Sequence, residues 1–267
     1  MKLLIPVPSG IEQITKRQLF SLGYEKAPAD NGRIEVEGDW QDVARLNVLL
    51  RSGERVLIVL DKFKATTFDE LFEGVYAIPW ENWLTVDSKI LMDGKSVQST
   101  LAAIKVSGGV AKKAIIQRLA DKIRTGRKTF SESGARSIVG VSIYKDEVTV
   151  TLDTSGEGLH KRGYRSLAYS APLKETLASA LIDSTFYNPD KDIEKPFADI
   201  FCGSGTLPID TGKHVYRHWT PIMEKRGAFH PLMDPFKMEA NKDIIPNYTH
   251  DMCKKSLDIL SRTVLFG

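Results

Sequence analysis

Residues 197–206 read FADIFCGSGT, an apolar run that leads into two closely spaced glycines. The run predicts a strand, and Gly203 and Gly205 predict a tight turn at its carboxyl end. Open α/β sheets bind nucleotide-like ligands at such turns, because glycine lets the backbone approach the ligand closely. No third glycine follows at the dinucleotide position, which argues against a nicotinamide site. A bare G-x-G is equally compatible with a strand-terminal turn that binds nothing.

A helix is predicted immediately upstream of this strand. Ser170-Ala171-Pro172 has the form of a helix start, because proline in the first turn forgoes no hydrogen bond. Leu173, Leu177 and Leu181 then recur every four residues, which extends the predicted helix to about Phe186.

Two basic segments precede that helix. In the glycine-punctuated stretch LHKRGYR (159–165), Lys161, Arg162 and Arg165 stand beside Tyr164, a combination of cations and a stacking surface that suits single-stranded RNA. The stretch from Lys105 to Lys128 is rich in basic residues and contains one acidic residue, Asp121. These two patterns are unspecific when each is taken alone.

The basic stretch between Lys105 and Lys128 also has apolar residues at helical spacing and predicts an amphipathic helix. We expect Ser107-Gly108-Gly109 to form its flexible opening, with backbone N–H groups available to a phosphate. A solvated lysine-rich surface is the alternative. The near absence of acids favours a phosphate-contacting face that includes Lys112, Lys113 and Arg118.

The amino-terminal residues predict a small α/β or α+β domain in the order β-α-β-α-β. Ser9 and Glu12 have the spacing of a capping box, and Gly23 is the expected end of the first helix. The predicted elements are strand 2–7, a helix from about 11, strand 33–37, helix 42–51 and strand 55–60.

Further along, Thr67 to Leu84 predicts a helix that Pro79 ends, with Trp80 and Trp83 as core residues. Residues 88–92 predict a strand. Strict alternation over 139–143 and 148–152, around Tyr144–Glu147, predicts a β-hairpin.

The composition is that of an ordinary globular chain: 267 residues, 42% hydrophobic, with a net charge of +3 from 37 basic and 34 acidic side chains. Cys202 and Cys253 form no disulfide framework, and the histidines have no metal-ligand spacing. The amino terminus is a poor signal peptide, and no apolar stretch approaches the length needed to span a bilayer. We therefore expect a cytoplasmic protein without a metal site or a membrane partner.

Three pieces taken in order carry a family resemblance: VAKKAIIQRL (110–119), GLHKRGYRSLAYSAPLKETLASALI (158–182) and PFADIFCGSGTLPID (196–210). The chain from residue 1 to about 210 resembles the THUMP-domain RNA methyltransferases, in the bacterial group of 23S rRNA guanine-N2 methyltransferases. The resemblance implies an α+β ferredoxin-like and THUMP part that binds RNA, by the substrate of this group ribosomal RNA, followed by the start of an α/β Rossmann-like methyltransferase domain. It implies S-adenosylmethionine as cofactor. The residues implied at its methionine end are Asp199, Cys202, Gly203, Ser204, Gly205 and Thr206.

The sequence also departs from this family. No Asn or Asp followed by Pro-Pro and an aromatic residue occurs, so we assign no catalytic residue. After Asp210, 57 residues remain of the 267, and we expect an incomplete catalytic domain. The segments 218–236 and 253–267 are similar to the carboxyl-terminal part of DegT/DnrJ-type aminotransferases, although no pyridoxal lysine can be assigned.

The predicted boundaries are 1–60 for the ferredoxin-like part, 61–156 for the THUMP domain, 157–211 for the linker and first methyltransferase elements, and 212–267 for an atypical tail. Two functions remain open. The chain is either an S-adenosylmethionine-dependent RNA methyltransferase or a non-catalytic RNA-binding THUMP module with a vestigial methyltransferase segment. An aminotransferase activity rests on the tail alone.

Overall fold

The computed structural model describes residues 1–123, 132–161, 173–185, 198–200, 206–207 and 264–265. These residues fall into two compact units. The central unit contains Met1–Leu3 and Leu57–Gly156. The terminal unit contains Leu4–Val56 together with the described residues that follow Gly156. It therefore combines a segment that comes before most of the central unit in the sequence with segments that come after it.

The first half of the terminal unit confirms the predicted alternation of strands and helices, with one short strand added. Strands β2 and β3 pair antiparallel, and the strand order is β2-β3-β1. Ile34 and Val36 alternate into the core of this unit, where Leu19 and Leu46 of the helices are also buried. The elements are β1 (Lys2–Pro6), α1 (Glu12–Ser21), β2 (Ala29–Asp30), β3 (Arg33–Glu37) and α2 (Trp40–Leu49).

The capping box predicted at Ser9 and Glu12 is wrong. The N-cap of α1 is Ile11, without a side-chain cap, and the Glu12 carboxylate instead accepts hydrogen bonds from the N–H groups of Gly10 and Gly32. The pKa of Glu12 is lowered by hydrogen bonds from backbone N–H groups. The largest contribution comes from its own N–H, and the N–H groups of Gly32 and Gly10 add to it. A capping box does form at α2, between Asp39 and Asp42.

The central unit contains a mixed four-stranded sheet in the order β4-β7-β6-β5. Strands β5 and β6 are parallel, whereas β7 is antiparallel to both β4 and β6. Trp80 is fully buried, as predicted, and its indole N–H donates to the carbonyl of Val75. The elements are β4 (Leu57–Lys64), α3 (Phe68–Ala77), a 3-10 turn (Trp80–Asn82), β5 (Lys89–Val97), α4 (Ile104–Lys122), β6 (Arg136–Tyr144) and β7 (Glu147–Asp153).

The predicted hairpin is confirmed as β6 and β7, with Tyr144 paired to Glu147. The two residues of its turn, Lys145 and Asp146, both have positive φ, 51° and 62°. This is the backbone of a type I′ turn, whose twist matches that of the strands it joins. Inward alternation leaves Val139, Val141 and Ile143 fully or almost fully buried.

The predicted opening of the basic helix is wrong. Helix α4 begins at Ile104, so Ser107-Gly108-Gly109 lies inside it. Ser107 is buried, and its hydroxyl donates to the carbonyl of Ala103. These three residues are therefore part of the helix and do not form a flexible loop whose backbone N–H groups could bind a phosphate.

The helix predicted after Pro172 is confirmed as α5 (Glu175–Ser184). Its buried residues include Ile182 beside small and polar side chains, whereas Leu181 is 43% exposed. Strand β8 (Ala198–Asp199) pairs in parallel with β9 (Val264–Leu265), which is the described part of the tail. Among the described residues, no helix is long and apolar enough to cross a membrane.

Candidate functional sites

The candidate cofactor site lies at the end of β8. Asp199 is the last residue of this strand and is half-buried. Thr206 and Leu207 are helical, and Thr206 is only 3% exposed. A strand therefore precedes the glycine-rich segment and helical residues follow it. The loop residues predicted at this site, Cys202, Gly203, Ser204 and Gly205, lie outside the described residues.

Two of the basic side chains on the candidate RNA-binding face of α4 are paired with carboxylates that lie outside this helix. The Lys112 ammonium lies 2.6 Å from a carboxylate oxygen of Glu132, and both side chains remain partly exposed. Lys113 is exposed. Sequence reasoning missed Glu132 because it lies beyond the carboxyl end of α4.

Arg118 is held by Glu81 of the 3-10 turn. Its Nε and Nη2 atoms donate to the two carboxylate oxygens of Glu81 at 3.1 and 2.8 Å, a bidentate arrangement. Its guanidinium also lies 5.7 Å from the ring centroid of Tyr76. The hydrogen bond from Arg118 lowers the pKa of Glu81. Arg118 therefore already has a structural role in joining α4 to the segment after α3.

Of the three cations predicted in the linker, the structure describes Lys161. This side chain is exposed, and its ammonium lies 3.7 Å from Glu157. Arg162 and Arg165 lie outside the described residues. The described residues include no cluster of histidine, cysteine and carboxylate side chains that would hold a metal ion.

Sequence reasoning missed a polar junction between α1, the turn after α2, and α5. We use this name for Gln18, Arg51, Ser52, Glu54, Thr176 and Asp183. Arg51 donates to both carboxylate oxygens of Asp183, which lies 132 residues away in sequence. No local pattern could reveal such a pair, because each partner alone reads as a surface charge on a helix or at its end.

Three family models match the chain in succession. They are the RlmL ferredoxin-like domain over residues 2–57, the THUMP domain over 65–153, and the RMKL-like methyltransferase domain over 162–262. The last range includes most of the segment after residue 212, in which we expected a likeness to aminotransferases. The exact domain boundaries stay a prediction.

Two curated relatives have names that refer to RNA methylation. The chain is 43% identical over 210 residues to Bacillus subtilis YpsC, named as a candidate RNA methyltransferase, and the match covers 78% of this chain and 53% of YpsC. It is 31% identical over 201 residues to the ribosomal RNA large subunit methyltransferase K/L of Magnetococcus marinus, covering 75% of this chain and 28% of that protein. The chain thus spans about half the length of the first relative and less of the second.

Three solved structures are similar over 99% of this chain. One is described as a predicted N6-adenine-specific DNA methylase from Listeria monocytogenes, with 36% identity, a TM-score of 0.79 and 73% of that protein covered. Another is SMU.472, a candidate methyltransferase solved in complex with SAH, with 29% identity, a TM-score of 0.74 and 74% of that protein covered. The chain therefore belongs to the family of methyltransferases that combine a THUMP domain with an RMKL-like methyltransferase domain.

Proposed function

We propose that this chain binds S-adenosylmethionine and RNA, and that the protein to which it belongs methylates a guanine N2 atom in 23S ribosomal RNA. The single observation that carries the cofactor proposal is the similarity to SMU.472, whose structure contains SAH and which this chain matches over 99% of its length. The name of the Magnetococcus relative supports ribosomal RNA as the substrate class.

The described ends of the candidate cofactor site fit the methionine part of the cofactor. Asp199 ends a strand and offers a carboxylate that can accept hydrogen bonds from an ammonium group. Thr206 offers a hydroxyl in a buried position on the far side of the glycine-rich segment. We assign Cys202, Gly203, Ser204 and Gly205 to the same site, because glycines in this position let backbone N–H groups approach a ligand carboxylate.

We assign RNA contact to the basic residues Lys112, Lys113, Arg118, Lys161, Arg162 and Arg165. Lys113 and Lys161 are exposed and are therefore the described members that best fit a phosphate contact. Arg118 would act mainly through its pair with Glu81, which fixes the position of α4.

The cofactor, when bound, supplies an electrophilic methyl group on a sulfonium. The chain's own contribution is positioning: Asp199 and Thr206 orient the methionine end, and the basic residues hold the RNA backbone. Direct transfer to an exocyclic amine needs orientation and exclusion of water more than acid–base groups.

Calorimetric titration of the purified chain with SAH tests the cofactor proposal. We expect saturable binding that the Asp199→Ala variant weakens by about 10-fold or more, since it loses a charge-assisted hydrogen bond. An Asp61→Ala variant is the matched control, because Asp61 is an exposed acid of β4. Absence of SAH binding by the unaltered chain, with RNA binding retained, would favour the non-catalytic RNA-binding module.

The substrate class is tested by competition. Labelled 23S rRNA fragments are bound to the chain and challenged with unlabelled RNA or with DNA of the same sequence. We expect RNA to compete more strongly. Equal competition by DNA would contradict the RNA proposal and favour the substrate named for the Listeria protein.

A further inference from the structure

The sheet of the central unit has two different faces. One face packs against the helices: a side chain placed on Gly74 of α3 would meet the ring of Phe63, and one placed on Gly94 of β5 would lie 3.3 Å from Ile104 of α4. Successive side chains of a strand point to opposite faces of its sheet. The residues that alternate with Phe63 and Gly94 therefore lie on the other face, which we call the outer face.

Exposed residues form a row across the outer face at the end of β6. Lys64 of β4 is the cross-strand partner of Glu147, Glu147 is the partner of Tyr144, and Tyr144 is the partner of Val97 of β5. Side chains of such partners lie next to one another on the same face. Tyr144 is 41% exposed and Val97 is 49% exposed, so an aromatic ring and an aliphatic side chain face solvent side by side.

Lysines accompany these two side chains. The Lys145 ammonium lies 5.3 Å from the centroid of the Tyr144 ring. Lys95 is exposed and lies on the outer face, two residues before Val97. Within the described part of the chain, Lys64, Lys95 and Lys145 form no ion pair, although Glu147 belongs to the row. We use the name Tyr144 patch for Lys64, Lys95, Val97, Tyr144 and Lys145.

The backbone beneath the Tyr144 patch is fixed by hydrogen bonds between the turn of the hairpin and the loop after β5. The N–H of Lys145 donates to the carbonyl of Val97 at 3.3 Å. The carboxylate of Asp146 accepts from the N–H of Thr100 at 2.7 Å, and its own N–H donates to the hydroxyl of Ser99 at 3.1 Å. The strand ends that carry Tyr144 and Val97 are therefore held in place before a partner binds, which lowers the entropic cost of binding.

We propose that the Tyr144 patch binds an unpaired stretch of RNA, in which one base stacks on Tyr144 beside Val97 and the three lysines contact flanking phosphates. An exposed aromatic ring among cations suits single strands, because every base has a face that can stack. A protein partner fits less well, since lysine is depleted at protein interfaces. The inference rests on the proposed function, which makes RNA the partner, and it adds a surface separate from α4 and the linker.

The test compares two labelled probes on the full chain: a single-stranded RNA of mixed sequence, and the blunt duplex that it forms with its complement. We expect Tyr144→Ala to weaken binding of the single strand by about 5-fold or more, the loss of one base–aromatic stack. Binding of the duplex should stay within about twofold, because its bases are already stacked on one another. Tyr144→Phe keeps the ring and should bind the single strand like the unaltered chain.

Salt dependence separates stacking from charge. Lys145→Gln should reduce the slope of log K against log salt for the single strand by about 0.7, the value for one lost phosphate contact, whereas Tyr144→Ala should leave that slope unchanged. Phe20→Ala is the matched control, because Phe20 of α1 is an aromatic residue that is 65% exposed and lies in the other unit. This variant should bind both probes like the unaltered chain.

Three results would overturn the inference alone while RNA binding persists: an unchanged affinity of Tyr144→Ala for the single strand, an equal loss on the duplex, or a loss in Tyr144→Phe as large as in Tyr144→Ala. Weaker binding of Tyr144→Ala to ribosomal subunits, with unchanged binding to naked RNA, would identify a protein partner and also overturn it. If the unaltered chain binds neither probe, the proposed RNA function itself fails, and the inference fails with it.

Discussion

Both units have an apolar core, and they differ in how far apart in sequence the partners of their bidentate arginine pairs lie. In the central unit, neighbouring strands such as β6 and β7 bury alternating apolar side chains, and its bidentate arginine pair, Arg118–Glu81, joins positions 37 residues apart. In the terminal unit, the corresponding pair joins Arg51 to Asp183 across 132 residues. Apolar alternation specifies a local fold. A shielded polar junction specifies which distant segment belongs with it.

The largest expected effect is in the sheet of the central unit. Ile143→Ala removes a fully buried side chain from β6 and should lower the free energy of unfolding by about 3 kcal/mol, because it leaves a cavity. Urea unfolding measures the loss. Ser142→Ala, one residue earlier on the other face of the strand, is the control and should cost less than about 1 kcal/mol. A loss below about 1 kcal/mol for Ile143→Ala would contradict the apolar description of this unit.

The next prediction compares two arginine–aspartate pairs of the terminal unit, in each of which a guanidinium nitrogen lies 2.9 Å from a carboxylate oxygen. A double-mutant cycle on Arg51 and Asp183 should give a coupling energy of about 2 kcal/mol, because truncation leaves a shielded charge without its partner. The same cycle on Arg33 and Asp30 should give about 0.5 kcal/mol or less, as for exposed pairs. Equal coupling energies would mean that burial does not distinguish the junction.

A smaller effect concerns the pair in the central unit. Arg118 lowers the pKa of Glu81 through its hydrogen bonds, so the pair stabilises the fold above the ordinary carboxyl value of 4.5. That stabilisation is lost as the pH falls through the lowered pKa. The stability difference between the unaltered chain and Arg118→Met should therefore shrink between about pH 5 and about pH 3. A difference that stays constant over this range would remove the pair as its source.

The smallest expected effect tests the RNA-facing side of α4. Lys113→Gln should weaken RNA binding a few-fold and reduce the slope of log K against log salt by about 0.7 to 0.9, the value for one lost phosphate contact. Lys26→Gln in the terminal unit is the control, since Lys26 is also an exposed lysine. Equal slopes for the two variants would remove Lys113 from the RNA-binding face.

Much of this fold could be predicted because its signals are local. Alternation located the β6–β7 hairpin, and helical spacing located α2 and α5 within a few residues. The family resemblance over residues 1–210 added the order of the domains. A period of two or of 3.6 residues can be read from a short window, and tertiary contacts did not reverse it in these elements.

The start of α4 could not be predicted, because packing there overrides the intrinsic preference of glycine. A glycine inside a helix costs about 1 kcal/mol. Ile104 packs over Gly94 of β5, and a side chain on Gly108 would come into contact with Met92, so the first turns of the helix lie close to the sheet. Small residues allow this approach.

The candidate site could be predicted in part. The sequence located the strand that ends at Asp199. It could not show that Arg118 faces Glu81, or that Asp183 faces Arg51, because those partners come together only when the chain folds.

Native-state hydrogen exchange of the unaltered chain at increasing urea tests the central claim most directly. If the polar junction makes α5 part of the terminal unit, amides of α1 and α5 should become exposed at the same urea concentration, with a different dependence from those of β6 and β7. Exchange of α5 at much lower urea than α1, in a step of its own, would contradict the account.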